Sequence, residues 1–374
     1  MARRRIALVA LALVLAILAA PGASSAQAPL DAAFTSAARR LHVPNSAAAL
    51  VRDGRVVWAA ATRRTRSSDR FVLASATKMV VATLVLRLAD QGRLALADPL
   101  ERYVPGVPNG DRVTLAMLLS HRSGLAEYFD LPELADAWDD PRHAWTTAEL
   151  VAAIRASAPA REPGSGYAYT NTNYILLGAV LERVSGLGLE ALLRQQITGP
   201  LGLRALSFDR VAPAGGRLLV GHQRRGGRTV DVSDRGRVPN DAIGAVWPDG
   251  GIASTATDLA RLLDALLGGG LLASQTLQQM ENTGATGYGL GLSSAEAPTA
   301  GRVLGHDGLY GGYTSYAFRD TRTQTTLVVL TNLESNADPA WSIADALWRA
   351  GAATYLGRST TSMLLASASN ANAA

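Results

Sequence analysis

The sequence predicts an α/β chain of the α+β kind: an antiparallel sheet built from both chain ends, flanked by terminal helices, with a large, mainly helical subdomain inserted. Three observations carry this. Strand-like segments cluster at residues 46–61 and again at 301–331, segments with helical apolar spacing fill the middle, and a helix-forming segment stands outside the strands at each end. Strands that sit at opposite ends of a chain bury their apolar faces by pairing, and whatever lies between them becomes an insertion. The expected sheet part is 27–74 and 286–358, and the expected helical part is 75–285.

Residues 1–26 stand apart from the fold. Arg3, Arg4 and Arg5 precede an apolar run from Ile6 to Ala20, and small residues lead to a cut expected after Ala26, the pattern of a secretory signal peptide. Its apolar core is short for a membrane span, an uncleaved anchor being the alternative, and the paired arginines leave the twin-arginine route open. A secreted or periplasmic protein is expected. "LDAAFTSAARRL" (30–41) then reads as a helix, and "SAAALVRDGRVVWAAA" as two strands joined at Asp53-Gly54, a hairpin signal. "SATKMVVATLVLRLADQG" predicts a long helix closed by Gly92. "TTAELVAAIRA", "NYILLGAVLERVSG" and "TATDLARLLDALLGGG" predict further helices, while residues 215–240 read as an irregular loop region. "GRVLGHDGL", "GYTSYAFRD" and "TTLVVLTN" predict three strands, residues 339–356 a closing helix opened by Pro339, and residues 359–374 a low-complexity, disordered tail.

Composition narrows the function classes. Without the three leader arginines the remaining 348 residues carry a net charge of +2, and no stretch interleaves basic with aromatic residues, so no nucleic-acid partner is expected. The chain has no cysteine, which excludes disulfides, a thiol nucleophile and a lipid-modified cysteine anchor. His42, His121, His143, His222 and His306 fall at no metal-ligand spacing, and neither a metal nor another cofactor is expected. One lysine, Lys78, stands among 35 arginines. Arginine keeps its proton at ordinary pH, whereas a desolvated lysine can lose it, so a lone lysine in an arginine-biased chain suggests an amine that must become neutral.

Ser75 lies three residues before Lys78, which on a helix puts both on one face, one turn apart. The start of that helix offers unpaired N–H groups and the positive end of its dipole. A serine hydroxyl is a weak nucleophile until an adjacent base activates it, and a neutral lysine amine can serve. Two more motifs complete the pattern: Tyr169-Thr170-Asn171 at the entry of a helix, and His306-Asp307-Gly308 on a strand followed by glycines. Tyrosine can relay protons, asparagine can hold an amide, and the strand can pair with an extended substrate. Taken singly, Tyr169 to Asn171 could be a helix-capping turn and His306 a solvated strand-end residue.

With these motifs, and with "LLSHRSGL" (118–125), "GGIASTATDLARLL" (250–263) and "GYGLGL" (287–292), the chain resembles the class C β-lactamases and penicillin-binding DD-peptidases of the serine β-lactamase-like superfamily. The resemblance covers about residues 30–356 and looks strongest toward secreted D-alanyl-D-alanine carboxypeptidases, which carry histidine where β-lactamases usually have lysine. It implies Ser75 as acylated nucleophile, Lys78 as its base, Tyr169 as proton relay, Asn171 on the substrate amide and His306 on the third cleft wall. It implies an oxyanion hole from the N–H groups of Ser75 and Leu309, with Gly308, Asp307 and Trp247 lining the substrate site. The carboxypeptidase pattern has hydroxyl residues where Asp307 and Leu309 stand, and an arginine that is missing after "GYGLGL"; Arg302 is the candidate substitute, and without it Asp307 is expected to repel substrates ending in a free carboxylate. A monomeric hydrolase of small peptide or acyl substrates is expected. An esterase or amidase, a class C-like β-lactamase and a catalytically silent binding protein are the alternatives. No GxSxG occurs, which disfavours an α/β-hydrolase.

Overall fold

The computed structural model describes residues 27–132, 134, 146–208, 216–232, 247–353 and 355. The expected leader and tail lie outside these residues. Helix α1 (Ala28–Arg40) leads into strands β1 (Ser46–Arg52) and β2 (Arg55–Ala61). Asp53 and Gly54 turn the chain between them with φ of 49° and 73°, the left-handed pair that a tight hairpin requires. From the other end come β7 (Ser293–Ala297), β8 (Gly301–Tyr310), β9 (Tyr313–Asp320) and β10 (Thr326–Thr331). They join in one antiparallel sheet of order β2-β1-β10-β9-β8-β7, so the sheet is built from both chain ends.

Side-chain alternation sorts this sheet into two faces. Ala47, Ala49 and Val51 of β1, with Val328 and Leu330 of β10, point into the core shared with the helical half. Their neighbours Ala48, Leu50, Leu327 and Val329 point the other way, onto α1 and the closing helix Pro339–Arg349. The closing helix is shorter than the expected 339–356.

The helical half is arranged around α2 (Thr77–Asp90), which is buried along most of its length and ends before Gly92 at φ 67°. α5 (Thr172–Ser185) packs on it, and α3 (Leu115–Leu119), α4 (Thr147–Ala156) and α6 (Leu189–Leu193) pack on α5, while α7 (Ala256–Leu267) lies against strands β1, β9 and β10; α8 (Ser274–Glu281) follows, and the closing helix is α9. A buried ion pair, Arg319 Nη1 to Asp264 Oδ1 at 2.6 Å, ties α7 to β9. Two short pairings complete the fold: β3 (Phe71–Val72) with β6 (Ala253–Ser254), and a small sheet of β11 (Leu333–Glu334), β4 (His222–Arg225) and β5 (Arg228–Asp231).

This last sheet corrects the expectation of an irregular loop over 215–240. Its strands are too arginine-rich to show apolar alternation. They form because Gly226 and Gly227 take φ of 53° and 78° at the turn and β11 offers a parallel edge to His222 and Gln223. Residues 215 and 233–240 of that segment lie outside the described residues.

Candidate active site

β3 carries the chain into the site and stops at Leu73, whose N–H donates to Ile252 O at 2.8 Å and whose carbonyl accepts from Ser315 Oγ at 2.7 Å. Ala74 then adopts φ 48°, a left-handed conformation that costs a non-glycine residue about 1 kcal/mol or more unless its surroundings impose it. The reversal starts a single 3₁₀ turn, Ala74–Ala76, that runs directly into α2. Ser75 is thereby set at the mouth of the helix with Lys78 one turn below it. Lys78 is 0% exposed. Its Nζ donates to Ser75 Oγ at 3.1 Å and to the backbone carbonyl of Asp249 at 2.7 Å, and lies 5.2 and 5.6 Å from the ring centroids of Tyr169 and Tyr174. Tyr169 Oη donates to Ser75 Oγ at 3.0 Å. One hydroxyl therefore sits between an amine and a phenol.

Tyr169 is 40% exposed and comes from the segment ahead of α5. Beneath it lies the buried ring of His121, 4.2 Å away centroid to centroid. Thr170 N–H donates to His121 Nδ1 at 3.3 Å, and Asn173 Nδ2 lies 3.1 Å from the same nitrogen. Nδ1 is thus the acceptor, the proton belongs on Nε2, and the ring is neutral. Burial, then the charge of Lys78, hold its pKa well below the usual imidazole range. Asn171 is tied down as well: its backbone N–H and its Nδ2 donate to Glu127 Oε2 at 2.7 and 3.1 Å. Burial raises the Glu127 carboxyl against these bonds.

The third wall is β8. Its pairing with β7 ends at Gly305, so among the described residues 306–310 pair only with β9 and leave the other edge open. Gly308 brings that strand against the nucleophile turn: a Cβ there would stand 2.3 Å from Leu73 O and 2.8 Å from Ser75 N. His306 Nδ1 lies 2.6 Å from its neighbour's carbonyl, Asp307 O, which can only accept, so Nδ1 carries the proton and Nε2 accepts from Tyr288 Oη at 2.9 Å. Burial lowers the His306 pKa; Asp307 opposes the shift and Lys78 adds to it. Both ring nitrogens are thus engaged, and His306 builds the wall through Tyr288.

The remaining expectations fare differently. Asp307, expected to face the substrate's terminal carboxylate, alternates to the face of β8 opposite His306 and Gly308, where its Oδ2 accepts from Trp341 Nε1 of α9 at 3.0 Å while its Oδ1 stays 3.7 Å from His306 Nδ1. Leu309 extends its side chain to solvent, 47% exposed, and can contribute to the site only through its backbone. Arg302 is four strand residues from His306, about 13 Å along β8, and Nη2 donates to Thr283 Oγ1 at 3.2 Å and Glu281 O at 3.4 Å. It is not a substitute carboxylate clamp. Trp247 opens a helical turn, Trp247–Gly250, and its side chain lies outside the described residues.

The Beta-lactamase family model matches residues 30–352. The chain belongs to that family. At 26% identity it matches two penicillin-binding proteins of Bacillus subtilis (strain 168) over 71% and 74% of its own length, spanning 63% of theirs. Esterase EstB of Burkholderia gladioli is 29% identical over 83% of this chain and 91% of its own. Among solved structures, a D-stereospecific amidohydrolase from Streptomyces sp. superposes with a TM-score of 0.70 at 27% identity, over 84% of this chain and 98% of that one. Four residues of the site were not singled out by role from the sequence: His121, Glu127, Asp249 and Tyr288. His121 and Tyr288 sit inside motifs that were visible, "LLSHRSGL" and "GYGLGL". Glu127 and Asp249 carried no signal in one dimension.

Proposed function

We propose that this family member is a serine hydrolase that forms an acyl-enzyme on Ser75. The observation that carries the reading is the Ser75 hydroxyl held at once by Lys78 Nζ, 3.1 Å, and Tyr169 Oη, 3.0 Å. In the forward step Ser75 Oγ bonds to the substrate carbonyl carbon as Lys78 takes its proton. The N–H groups of Ser75 and Leu309 receive the oxyanion, a geometry supported by the close approach of Gly308 to Ser75 N. Tyr169 then passes a proton to the leaving nitrogen or oxygen as its bond to the carbonyl carbon breaks. Water reverses the sequence and frees Ser75.

For the substrate we propose small amides or esters of D-amino acids, with no free carboxylate at the leaving side. Lys78 is the cation acting on His121, Glu127, Asp249 and His306, and no arginine of the described residues joins it there. Among the described residues no guanidinium therefore stands beside Lys78 to receive a terminal carboxylate. The D-alanyl-D-alanine carboxypeptidase reading keeps one supporting observation, the open β8 edge beyond Gly305, along which a peptide can add as a strand. We further propose export after cleavage at Ala26, and a single chain as the catalytic unit.

The test has two readouts. Mass spectrometry after reaction with an activated ester and with a penicillin should find the acyl group on Ser75, and Ser75→Ala should take up none. D-alanyl-D-alanine should be compared with its amide and methyl ester; kcat/KM for the uncharged forms should be higher by tenfold or more. Equal values, or a preference for the acid, would return the site to the carboxypeptidase reading.

A further inference from the structure

The residue whose carbonyl accepts from Lys78 also carries a buried carboxyl group that the acylation scheme does not use. Asp249 belongs to the Trp247–Gly250 turn, which is seated on α5 where Gly178 leaves room for Pro248; a Cβ at Gly178 would stand 2.6 Å from the proline ring. The turn presents the Asp249 carbonyl to Lys78 Nζ at 2.7 Å. The Asp249 side chain goes inward with it and is 2% exposed. Oδ2 accepts from Tyr128 Oη at 3.2 Å, and the buried Oδ1 has no hydrogen-bond partner among the described residues. Two ionisable groups, an amine and an acid, are thus enclosed together.

We propose that the Asp249 carboxyl and the Lys78 amine share one proton, and that Asp249 is the positioning residue that sets how acylation depends on pH. The inference rests on the reading of Lys78 as the base. Two opposite charges buried together must both be desolvated, whereas a neutral acid beside a neutral amine places no charge in the interior. When Asp249 holds the shared proton, the Lys78 amine is free to take the proton of Ser75. When Asp249 is ionised, the amine is held as ammonium and cannot. While the pair holds one proton, the fraction with the proton on Asp249 does not change with pH, so the acylation rate becomes level.

The groups facing Asp249 set where levelling begins. α2 contributes Lys78, the segment before α4 contributes Glu127 and Tyr128, and α5 contributes the uncharged Gly178. Burial pushes the Asp249 carboxyl up to about 7, Glu127 pushes the same way, and Lys78 and Tyr128 pull it down. Wild-type kcat/KM for an ester substrate should therefore rise with pH and flatten near neutrality.

The decisive variant is Asp249→Asn, which keeps the shape and loses the proton site. Its rate should climb tenfold per pH unit through neutrality without the wild-type break, and should overtake wild type above it. Tyr128→Phe, which removes one donor to the carboxylate, should move the break upward. Carbon-13 NMR of aspartate-labelled protein should show one carboxyl titrating near neutrality that is missing in Asp249→Asn. A break that stays in place in Asp249→Asn overturns the proposal. So does an NMR spectrum without such a carboxyl, a measurement that needs no activity and stands even if the Asn variant turns over poorly. Lys78→Arg separates the two readings: if it acylates like wild type, the base assignment has failed, whereas an inactive Lys78→Arg beside an unchanged Asp249→Asn profile defeats the shared proton alone.

Discussion

Gly308→Ala tests how the sheet and the helix start make one site. A methyl group at 308 would lie 2.3 Å from Leu73 O, 2.7 Å from Ser315 Oγ and 2.8 Å from Ser75 N, where ordinary contact begins at 3.4 Å. Leu73 O cannot yield, because it already accepts from Ser315 and continues into the strained turn at Ala74. Relieving the contact therefore requires β8 and the Ser75 turn to part by about 1 Å. A displacement of that size at reacting atoms costs on the order of a hundredfold in rate, about 2.7 kcal/mol of barrier. Overpacking of a tight site costs about 1–3 kcal/mol in stability, so the variant should fold. The assay is stopped-flow acylation by an activated ester, with thermal unfolding measured on the same samples. Leu309→Ala is the control, since it trims an exposed side chain and leaves the backbone in place. It should acylate within a few-fold of wild type. If Gly308→Ala did so too, with its fold intact, the claim that β8 supplies an oxyanion contact beside Ser75 N would be wrong.

Other substitutions separate chemistry from architecture. Lys78→Arg keeps the charge but cannot accept the Ser75 proton, so pre-steady-state acylation should fall by about 10² to 10⁴, as far as in Lys78→Ala; a loss of only a few-fold would make the lone lysine a compositional accident. Arg302→Ala should leave the acid-to-ester preference unchanged, because its guanidinium is spent on Thr283 and Glu281; a changed preference in steady-state kinetics would put it back in the site. Asp264→Ala strands the Arg319 charge in the interior and should cost about 3–5 kcal/mol in denaturant unfolding with little effect on the substrate profile of the folded enzyme. Asp249 also affects stability with a definite sign. Its carboxyl binds a proton more tightly folded, at about 7, than unfolded, near the ordinary aspartate value of about 3.9, so its contribution is present below the lower value and is lost as pH rises through the upper one. The melting temperature of Asp249→Asn relative to wild type should thus rise from pH 5 to pH 8, and a constant difference would count against a buried, proton-binding Asp249.

Local rules made several elements readable. Asp53-Gly54 between alternating residues specifies a hairpin whatever surrounds it, and Gly92 stops α2 because a left-handed residue ends a helix. Ser75 and Lys78 needed only the pitch of a helix to be paired, and the lone lysine marked which serine mattered. Tyr169 was legible by its motif, although its distance to Ser75 Oγ was not. The β4–β5 hairpin escaped because its stability comes from β11 and a Gly-Gly turn, while its own residues show no apolar pattern. The partner of Asp307 was not legible because its motif gives the strand position but not what α9 brings to that face; Trp341 Nε1 donates to its carboxylate.

By itself the sequence determined the fold class, the helix that pairs Ser75 with Lys78, and the strand that carries His306 and Gly308, because each follows from spacing along one element. Only the tertiary structure decided the electrostatics around them. Asp249 meets Lys78 across a separation of 171 residues, and Asn171 meets Glu127 across 44. Whether a carboxyl at such a place is a solvated surface charge or a buried group holding a proton depends on what covers it, and burial is a property of the packed fold.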